Sequence, residues 1–237
     1  MAITIVYDNY GYDPRARVGS GFACVVKTTT NCLLFDTGAH GPTLLYNLEV
    51  LGFYLEEIDA VVISHIDSDH VGGLFKFLEK RHDVTVYVPE SFPPAFKDLI
   101  VLHGARVTEI GSAAELCPGI QTTGELGEWL KEQSLIIQTD QGCALVMGDA
   151  HPGVVGIVKR AKQVAQDRVY LVMGGYHLDG ATASELQSTI ASFHDLGVES
   201  VALSHSSGDR ARSLFQQEYL DQYIECGVGK TIGGDSH

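Results

Sequence analysis

Positive charge is scarce in this sequence. Its 237 residues contain 16 Lys and Arg against 30 Asp and Glu, which gives a formal net charge of −14 at pH 7 with histidine neutral. Most of the affinity of nucleic-acid-binding proteins comes from Lys and Arg side chains that neutralise phosphates. The densest basic stretches here, KRHD and KRAKQVAQDR, are short and typical of solvated helix faces. The sequence therefore predicts that DNA and RNA are not partners.

Cysteine and long apolar runs are also sparse. The five cysteines are scattered, and no two of them have Cys-x-x-Cys spacing, which argues against a disulfide framework and against a zinc ribbon. No apolar run approaches the ~18 residues of a membrane-spanning helix, and the N-terminal stretch lacks the apolar segment of a secretory signal. These absences predict a soluble, cytoplasmic protein with reduced thiols and no membrane partner.

Apolar strands alternate with amphipathic helices along the chain. Two β-hairpins are predicted, one from GFACVVKT and CLLFDT and one from SLIIQT and GCALVMGD. Each is followed by strands such as IDAVVIS and ESVALSH, which alternate with helical patterns such as GPTLLYNLEVLG and HVGGLFKFLEKRH. This order predicts an α/β sandwich, with two sheets packed face to face and helices outside, in a single domain over residues 1–237.

Titratable side chains gather where the apolar strands end. Asp36 follows CLLF, His65 to His70 follow AVVIS, Asp149 and His151 follow ALVMG, His177 follows VMGGY, and His205 follows SVALS. Layered α/β folds bind ligands at the carboxyl ends of their strands, and imidazole with carboxylate suits Zn, Fe or Mn. Taken singly, a strand-end histidine is more often structural, and Asp149 could cap the helix after Pro152. Taken together, these residues predict a metal site.

The stretch SHIDSDHVGGL resembles the His-x-His-x-Asp-His signature of the metallo-β-lactamase superfamily. LLFDTGAHGPTLLYNLEVLGFYLEEIDAVVISH upstream and GDAHPG, GGYHL and SHSSG downstream extend the resemblance over most of the chain. GELGEWLKEQSLII and GVGKTIGG are similar to stretches of the metal-dependent hydrolases named after a dihydropterin ribofuranosylaminobenzene phosphate synthase. The resemblance implies a four-layer αβ/βα sandwich of the metallo-β-lactamase type with a dinuclear metal site.

The resemblance also implies a set of metal ligands. They are His65 and Asp67 for a first metal, Asp69, His70 and His205 for a second, and Asp149 as the bridge between the two. The superfamily's remaining histidine has no obvious counterpart, and His151 is the expected substitute, with Glu125 in TTGELGEW as the less favoured one. The implied cofactors are one or two divalent transition-metal ions.

Catalytic roles are expected for three of these strand-end residues. Asp69 and Asp149 would fix the attacking water, and His177 would orient the substrate or donate a proton to the leaving group. HPG and SHSSGD each precede a candidate helix, whose backbone N–H groups could receive an anionic substrate. For Ser206 and Ser207 themselves, helix capping is the slightly favoured interpretation over a contact with substrate.

Asp67 departs from the superfamily pattern, which has a histidine there. Exchanging imidazole for carboxylate adds a negative charge and a hard oxygen, which favours iron or manganese over zinc. Flavodiiron proteins of the same fold carry Glu at this position. Because Asp is one methylene shorter than Glu, it could reach the metal through a water molecule. The alternative is that the first metal site is weak or empty. Asp149 is the ordinary bridging residue of the superfamily, whereas the subfamily tends to have Cys there, and Ser206 stands where a Cys would be common. The predicted site is therefore free of thiols.

The resulting functional prediction is a metal-dependent hydrolase that cleaves a small anionic ester with a metal-activated water. Phosphorylated esters belong to this substrate class. Two alternatives stay open. A diiron oxidase or oxygenase would suit Asp67, but the sequence carries no flavin domain, haem motif or Fe–S cysteine set. A degenerate member of the fold would bind a metal or a small molecule without catalysis. The substrate and the oligomeric state do not follow from these patterns.

Overall fold

The structure, a computed structural model, describes residues 1–234. The chain divides into two compact units. The first unit contains Met1–Gly111 and the segment that starts at Cys226, and the second contains Ser112–Glu225. Each unit has a mixed β-sheet and a hydrophobic core of its own, in agreement with the predicted α/β class. The single domain expected over residues 1–237 stays a prediction.

The first unit opens with three strands and then alternates helices with strands. Its strands are β1 (Ala2–Tyr7), β2 (Ala23–Lys27), β3 (Cys32–Phe35), β4 (Ala60–Val62), β5 (Thr85–Pro89) and β6 (Arg106–Ile110). Its helices are α1 (Gly41–Val50), α2 (Ser68–Val71), α3 (Leu74–Leu78) and α4 (Pro94–Leu102), with a 3₁₀ turn at Leu55–Glu57. Strands β3 to β6 are parallel, so β3 and β4 end at the same edge of the sheet.

The prediction of one helix over HVGGLFKFLEKRH is wrong, because two short helices, α2 and α3, replace it. A Cβ at Gly72 would lie 2.3 Å from the carbonyl oxygen of Ala39, and one at Gly73 would lie 2.2 Å from that of Thr37. Only glycine permits such an approach. The backbone N–H and hydroxyl of Thr37 both donate to the carbonyl of His70, at 2.8 and 2.7 Å. The break therefore fastens the segment that carries His70 to the loop after β3.

The second unit contains a six-stranded sheet and three longer helices. Its strands are β7 (Ser112–Cys117), β8 (Ile120–Gly124), β9 (Leu135–Thr139), β10 (Gly142–Met147), β11 (Val169–Gly174) and β12 (Ser200–Leu203). Its helices are α5 (Val154–Ala165), α6 (Ala183–Leu196) and α7 (Asp209–Tyr219), followed by a 3₁₀ turn at Leu220–Gln222. Strands β10, β11 and β12 are parallel neighbours, so their carboxyl ends meet at one edge.

Strand β13 (Thr231–Gly233) pairs with β1 and completes the sheet of the first unit. The strand orders are β13-β1-β2-β3-β4-β5-β6 in the first unit and β12-β11-β10-β9-β8-β7 in the second. The sequence patterns do not predict β6, β7, β8 and β13. In β6, β7 and β13, at least half of the residues are exposed, and none of these three strands has an apolar run. Within residues 1–234, no helix combines the length and apolarity needed to cross a membrane.

Helices of the second unit bury an aromatic cluster. Tyr176, Phe193 and Phe215 are almost fully buried, and their ring centroids lie 5.8 to 5.9 Å apart. Helix α6 begins with a complete capping box, in which the Thr182 hydroxyl and the Glu185 carboxylate accept each other's backbone N–H groups. Cap and cluster together hold α6 in place beside the loops that follow β11 and β12.

We expect Phe193→Ala to be strongly destabilising, because removal of a buried ring loses its apolar contacts and leaves a cavity. The expected cost is about 3–5 kcal/mol in the free energy of unfolding. Trp129→Ala is the matched control, since Trp129 is 99% exposed and such surface changes usually stay within about 0.5 kcal/mol. Urea titration followed by circular dichroism measures both. Equal effects of the two substitutions would contradict the assigned core.

Candidate metal centre

In the first unit, four potential ligands lie on the short segment after β4. His65 and His70 are buried, whereas Asp67 and Asp69 are partly exposed. The imidazole rings of His65 and His70 lie 4.1 Å apart, centroid to centroid. The Oδ2 atom of Asp67 is 3.6 Å from Nε2 of His65. The sequence therefore brings the predicted ligands of this segment together, with a carboxylate beside one of the imidazoles.

Asp36, at the end of β3, is the buried anion of this cluster. Its Oδ2 accepts hydrogen bonds from the Ser64 hydroxyl at 2.6 Å and from Nδ1 of His70 at 2.8 Å, and its Oδ1 accepts from the Ser64 backbone N–H at 2.7 Å. Burial raises the pKa of Asp36, and the His70 and Ser64 contacts oppose that rise. Because β3 and β4 are parallel, Asp36 reaches the loop after β4 directly.

These contacts determine which ring nitrogen each histidine can offer to a metal. The Ser64 hydroxyl proton goes to Asp36, so the Ser64 oxygen accepts from Nδ1 of His65, 2.8 Å away. Nδ1 of His70 likewise donates to Asp36. Both rings then carry their proton on Nδ1 and present the Nε2 lone pair. An imidazole whose other nitrogen donates to a fixed acceptor is the usual arrangement of a metal ligand.

In the second unit, the candidate ligands follow the parallel strands β10, β11 and β12. Asp149 and His151 lie in the loop after β10, where the ring Nε2 of His151 is 3.2 Å from Oδ2 of Asp149. His177, after β11, places its Nδ1 3.2 Å from Oδ1 of the same carboxylate. His205 follows β12 and is 6% exposed. Helix α5 is capped by Gly153, so the alternative of Asp149 as a helix cap is wrong.

Glu132 is a functional candidate that the sequence analysis missed. Its side chain is fully buried, and its carboxylate accepts the backbone N–H groups of Asp149, Ala150 and His151 at 2.9 to 3.0 Å. Its Oε2 also lies 3.2 Å from Nδ1 of His151. Ala150 has a positive φ of 54°, and the three successive N–H groups form an anion-binding concavity. Glu132 therefore holds the loop that carries Asp149 and His151.

The three loops of the second unit pack backbone against backbone. A Cβ at Gly175 would lie 2.2 Å from the carbonyl oxygen of Gly148 and 3.0 Å from that of His205. Only glycine fits at this crossing, and this closeness gathers the residues that follow β10, β11 and β12. The glycine pair in VMGGYHL is the sequence feature that permits this close backbone approach. A glycine pair does not by itself show which backbone segment it approaches.

Ser206 links the loop after β12 to the loop after β11. Its hydroxyl accepts the backbone N–H of His177 at 3.2 Å, and its carbonyl accepts those of Leu178 and Asp179, each at 3.1 Å. The cap of α7 is Gly208, so the interpretation of Ser206 and Ser207 as helix caps is wrong. Ser206 instead fixes the backbone on which His177 is carried.

The donor atoms fit a divalent transition metal. Asp149, His151 and His177 each offer one nitrogen or oxygen atom, and these atoms lie within 4.8 Å of one another. In the first unit, His65 and His70 present Nε2 beside the Asp67 carboxylate. Imidazole and carboxylate donors suit Zn, Fe and Mn, and no thiolate takes part in either set.

Comparisons with known proteins agree with this geometry. The model of the metallo-beta-lactamase superfamily matches residues 16–161, more than half of the chain. The chain is 26% identical to the 7,8-dihydropterin-6-methyl-4-(beta-D-ribofuranosyl)-aminobenzene-5'-phosphate synthase of Methanocaldococcus jannaschii, over 97% of this chain and 95% of that protein. The match covers nearly the full length of both proteins.

Two solved structures share the fold. Tm1679, a metal-dependent hydrolase of the beta-lactamase superfamily, superimposes with a TM-score of 0.83 at 23% identity over 100% of both chains. The short form of human tRNase Z superimposes with a TM-score of 0.67 at 16% identity, over 98% of this chain and 99% of that one. The predicted fold, the αβ/βα sandwich of the metallo-β-lactamase type, is confirmed.

We expect Glu132→Ala to destabilise the protein and to weaken metal binding. The substitution leaves three backbone N–H groups without their carboxylate acceptor, and each hydrogen bond to a charged group contributes about 1.5–3 kcal/mol. The loss of an outer partner of a ligating histidine also lowers metal affinity about 10- to 100-fold. Thermal unfolding and Mn²⁺ titration measure the two effects. Glu128→Ala, at an exposed glutamate, is the matched control, and an equal response of both variants would show that Glu132 does not hold the loop.

Proposed function

The chain belongs to the metallo-beta-lactamase superfamily, and from that membership we propose that it is a metal-dependent hydrolase acting on a small anionic ester. The observation that carries the proposal is the pairing of oriented imidazoles with carboxylates, at the ends of β4 in the first unit and of β10 to β12 in the second. Relatives in the superfamily include a metal-dependent hydrolase and a synthase, which supports an enzyme.

We propose that the ligands are those implied by the sequence resemblance. They are His65, Asp67, Asp69, His70, Asp149, His151 and His205, which would hold one or two divalent Zn, Fe or Mn ions. When bound, such ions act as Lewis acids and lower the pKa of a coordinated water. The thiol-free donor set and the Asp67 carboxylate favour Fe and Mn over Zn.

The chain's own residues would position the water and the substrate. Asp149 is 7% exposed and would accept a hydrogen bond from the attacking water, which aligns its lone pair with the ester. Asp69 would serve the same purpose in the first unit, where the Ser20 hydroxyl donates to its Oδ2 at 3.4 Å. His177 is more than half exposed, so its ring is accessible from solvent; orientation or protonation of the substrate is the role that the sequence predicts for it.

The distribution of charge in the protein supports a small phosphorylated substrate rather than a polyanion. The net charge of −14 disfavours polyanions, whereas a small anion can be neutralised locally by cations and by helix N-terminal amides. Helix α5 carries no acidic residue in its first turn, while α7 begins with Asp209. The α5 end is therefore the better receiver of an anion. The relative from M. jannaschii, whose name contains a 5'-phosphate, is consistent with this class.

Asp149→Ala should abolish turnover while the fold stays intact, because this one carboxylate would hold metal and orient water. The assay is a panel of phosphomonoesters, phosphodiesters, lactones, thioesters and tRNA precursors with Mn, Fe and Zn. Asp140→Ala, at an exposed turn before β10, is the matched control and should retain full activity. Activity that survives Asp149→Ala, or cleavage of the tRNA precursors alone, would contradict the proposal.

Asp67→His should move metal preference toward zinc, since it replaces a hard carboxylate oxygen next to His65 with an imidazole nitrogen. Competitive titration of Zn, Mn and Fe against the apoprotein gives the relative affinities. Asp98→His, on the exposed surface of α4, controls for an added surface histidine. If the three metals keep their relative affinities in Asp67→His, Asp67 is not a ligand.

A further inference from the structure

We propose that His177 completes a three-ligand metal site with Asp149 and His151, built entirely within the Ser112–Glu225 unit. The inference rests on the proposed metal dependence, but it gives His177 a different role from the substrate orientation or proton donation expected from the sequence. The three residues follow two adjacent parallel strands, β10 and β11, and their donor atoms lie within 4.8 Å of one another.

The carboxylate of Asp149 is the first feature that points to an ion. Nε2 of His151 lies 3.2 Å from its Oδ2, and Nδ1 of His177 lies 3.2 Å from its Oδ1. Within residues 1–234, the buried Oδ1 accepts no hydrogen bond, so the imidazole nitrogen of His177 is close to it but not aligned as a donor. A buried carboxylate oxygen without a proton donor is costly. A cation between the nitrogen and the oxygen removes that cost.

The orientation of the His151 ring is a second feature that points to an ion. Its Nδ1 lies 3.2 Å from Oε2 of Glu132, and its backbone N–H donates to the same oxygen at 3.0 Å. An imidazole whose one nitrogen faces a fixed carboxylate is the usual arrangement of a metal ligand. The other ring nitrogen, Nε2, lies 3.2 Å from Oδ2 of Asp149. One metal ion could be bound by both of these atoms.

The backbone conformation of His177 is a third feature that points to an ion. Its backbone has a positive φ of 51°, which is uncommon for a residue other than glycine. Ser206 holds this conformation by accepting the His177 N–H at its hydroxyl and the next two N–H groups at its carbonyl. The ring lies 4.5 Å from that of His151, centroid to centroid. These contacts hold the loop between β11 and α6 in a conformation that places Nδ1 of His177 beside Asp149.

The chemistry of this site favours Fe²⁺, Mn²⁺ or Zn²⁺. Two imidazoles and one carboxylate are a recurrent ligand set for non-haem iron and for catalytic zinc, and three protein ligands leave positions for water or substrate. The more than half-exposed ring of His177 puts the open positions within reach of solvent. Since all three ligands belong to one unit, the site should hold an ion without the imidazoles of the first unit.

The experiment uses the full chain carrying His65→Ala and His70→Ala, loaded with Fe²⁺, Mn²⁺, Zn²⁺ or Co²⁺. We expect this double variant to retain about one ion per chain by elemental analysis, the capacity of one such site. Adding His177→Asn should weaken binding by more than the ~10- to 100-fold that loss of an outer partner costs. Asn tolerates a positive φ, so the loop is kept. His82→Asn, at an exposed histidine, is the matched control and should leave binding unchanged.

Two results would overturn the proposal. In one, the double variant binds no ion, or His177→Asn leaves its affinity unchanged. In the other, His177→Asn in the otherwise intact chain leaves the Co²⁺ absorption spectrum unaltered and lowers only kcat, which would make His177 a proton donor or substrate contact. The second measurement does not depend on folding of the double variant. Absence of hydrolysis on every ester would defeat the proposed function but leave these binding results standing.

Discussion

In each unit, one buried carboxylate holds the backbone that carries the candidate ligands. Asp36 accepts from Ser64 and His70 in the first unit, and Glu132 accepts from three successive N–H groups and contacts His151 in the second. A buried anion is tolerated only when its oxygens are fully hydrogen-bonded. Each network therefore has one low-energy arrangement. That arrangement fixes the loop and the orientation of the histidine rings, so the ring nitrogens that could bind a metal are positioned by the protein itself.

The strand order of the sheets brings the candidate ligands of each unit close together. Parallel pairing ends β3 and β4 at one edge, and it ends β10, β11 and β12 at another. Side chains that follow these strands are consequently neighbours although they are far apart in sequence. Glycine allows the loops to approach each other closely, because Gly73 and Gly175 lie where any side chain would collide with a carbonyl oxygen. Strand order, buried anion and close backbone approach thus act together to turn strand-end residues into clustered donors.

These physical causes explain what the sequence could reveal. Apolar strands and the residues after them were visible, so the α/β class and the candidates from His65 to His205 followed from pattern and resemblance. Glu132 was not visible, since its value depends on a turn that brings it to residues 149–151, and nothing local to EQS marks it as an anion for three N–H groups. The prediction that Ser206 caps a helix was wrong for the same reason. Its hydroxyl accepts a hydrogen bond from the loop after β11 and does not cap the helix that follows Ser206 in the chain. Strand β7 was not recognised because half of its residues are exposed and none is buried.

Elemental analysis of the chain purified without added metal, with Asp149→Ala prepared in parallel, tests most directly whether these donors hold a transition metal in the native protein. We expect one or two ions per chain, with Fe or Mn competing with Zn, and a reduced content in Asp149→Ala. Protein that contains no transition metal as purified, and takes none up on reconstitution with Fe²⁺, Mn²⁺ or Zn²⁺, would contradict it.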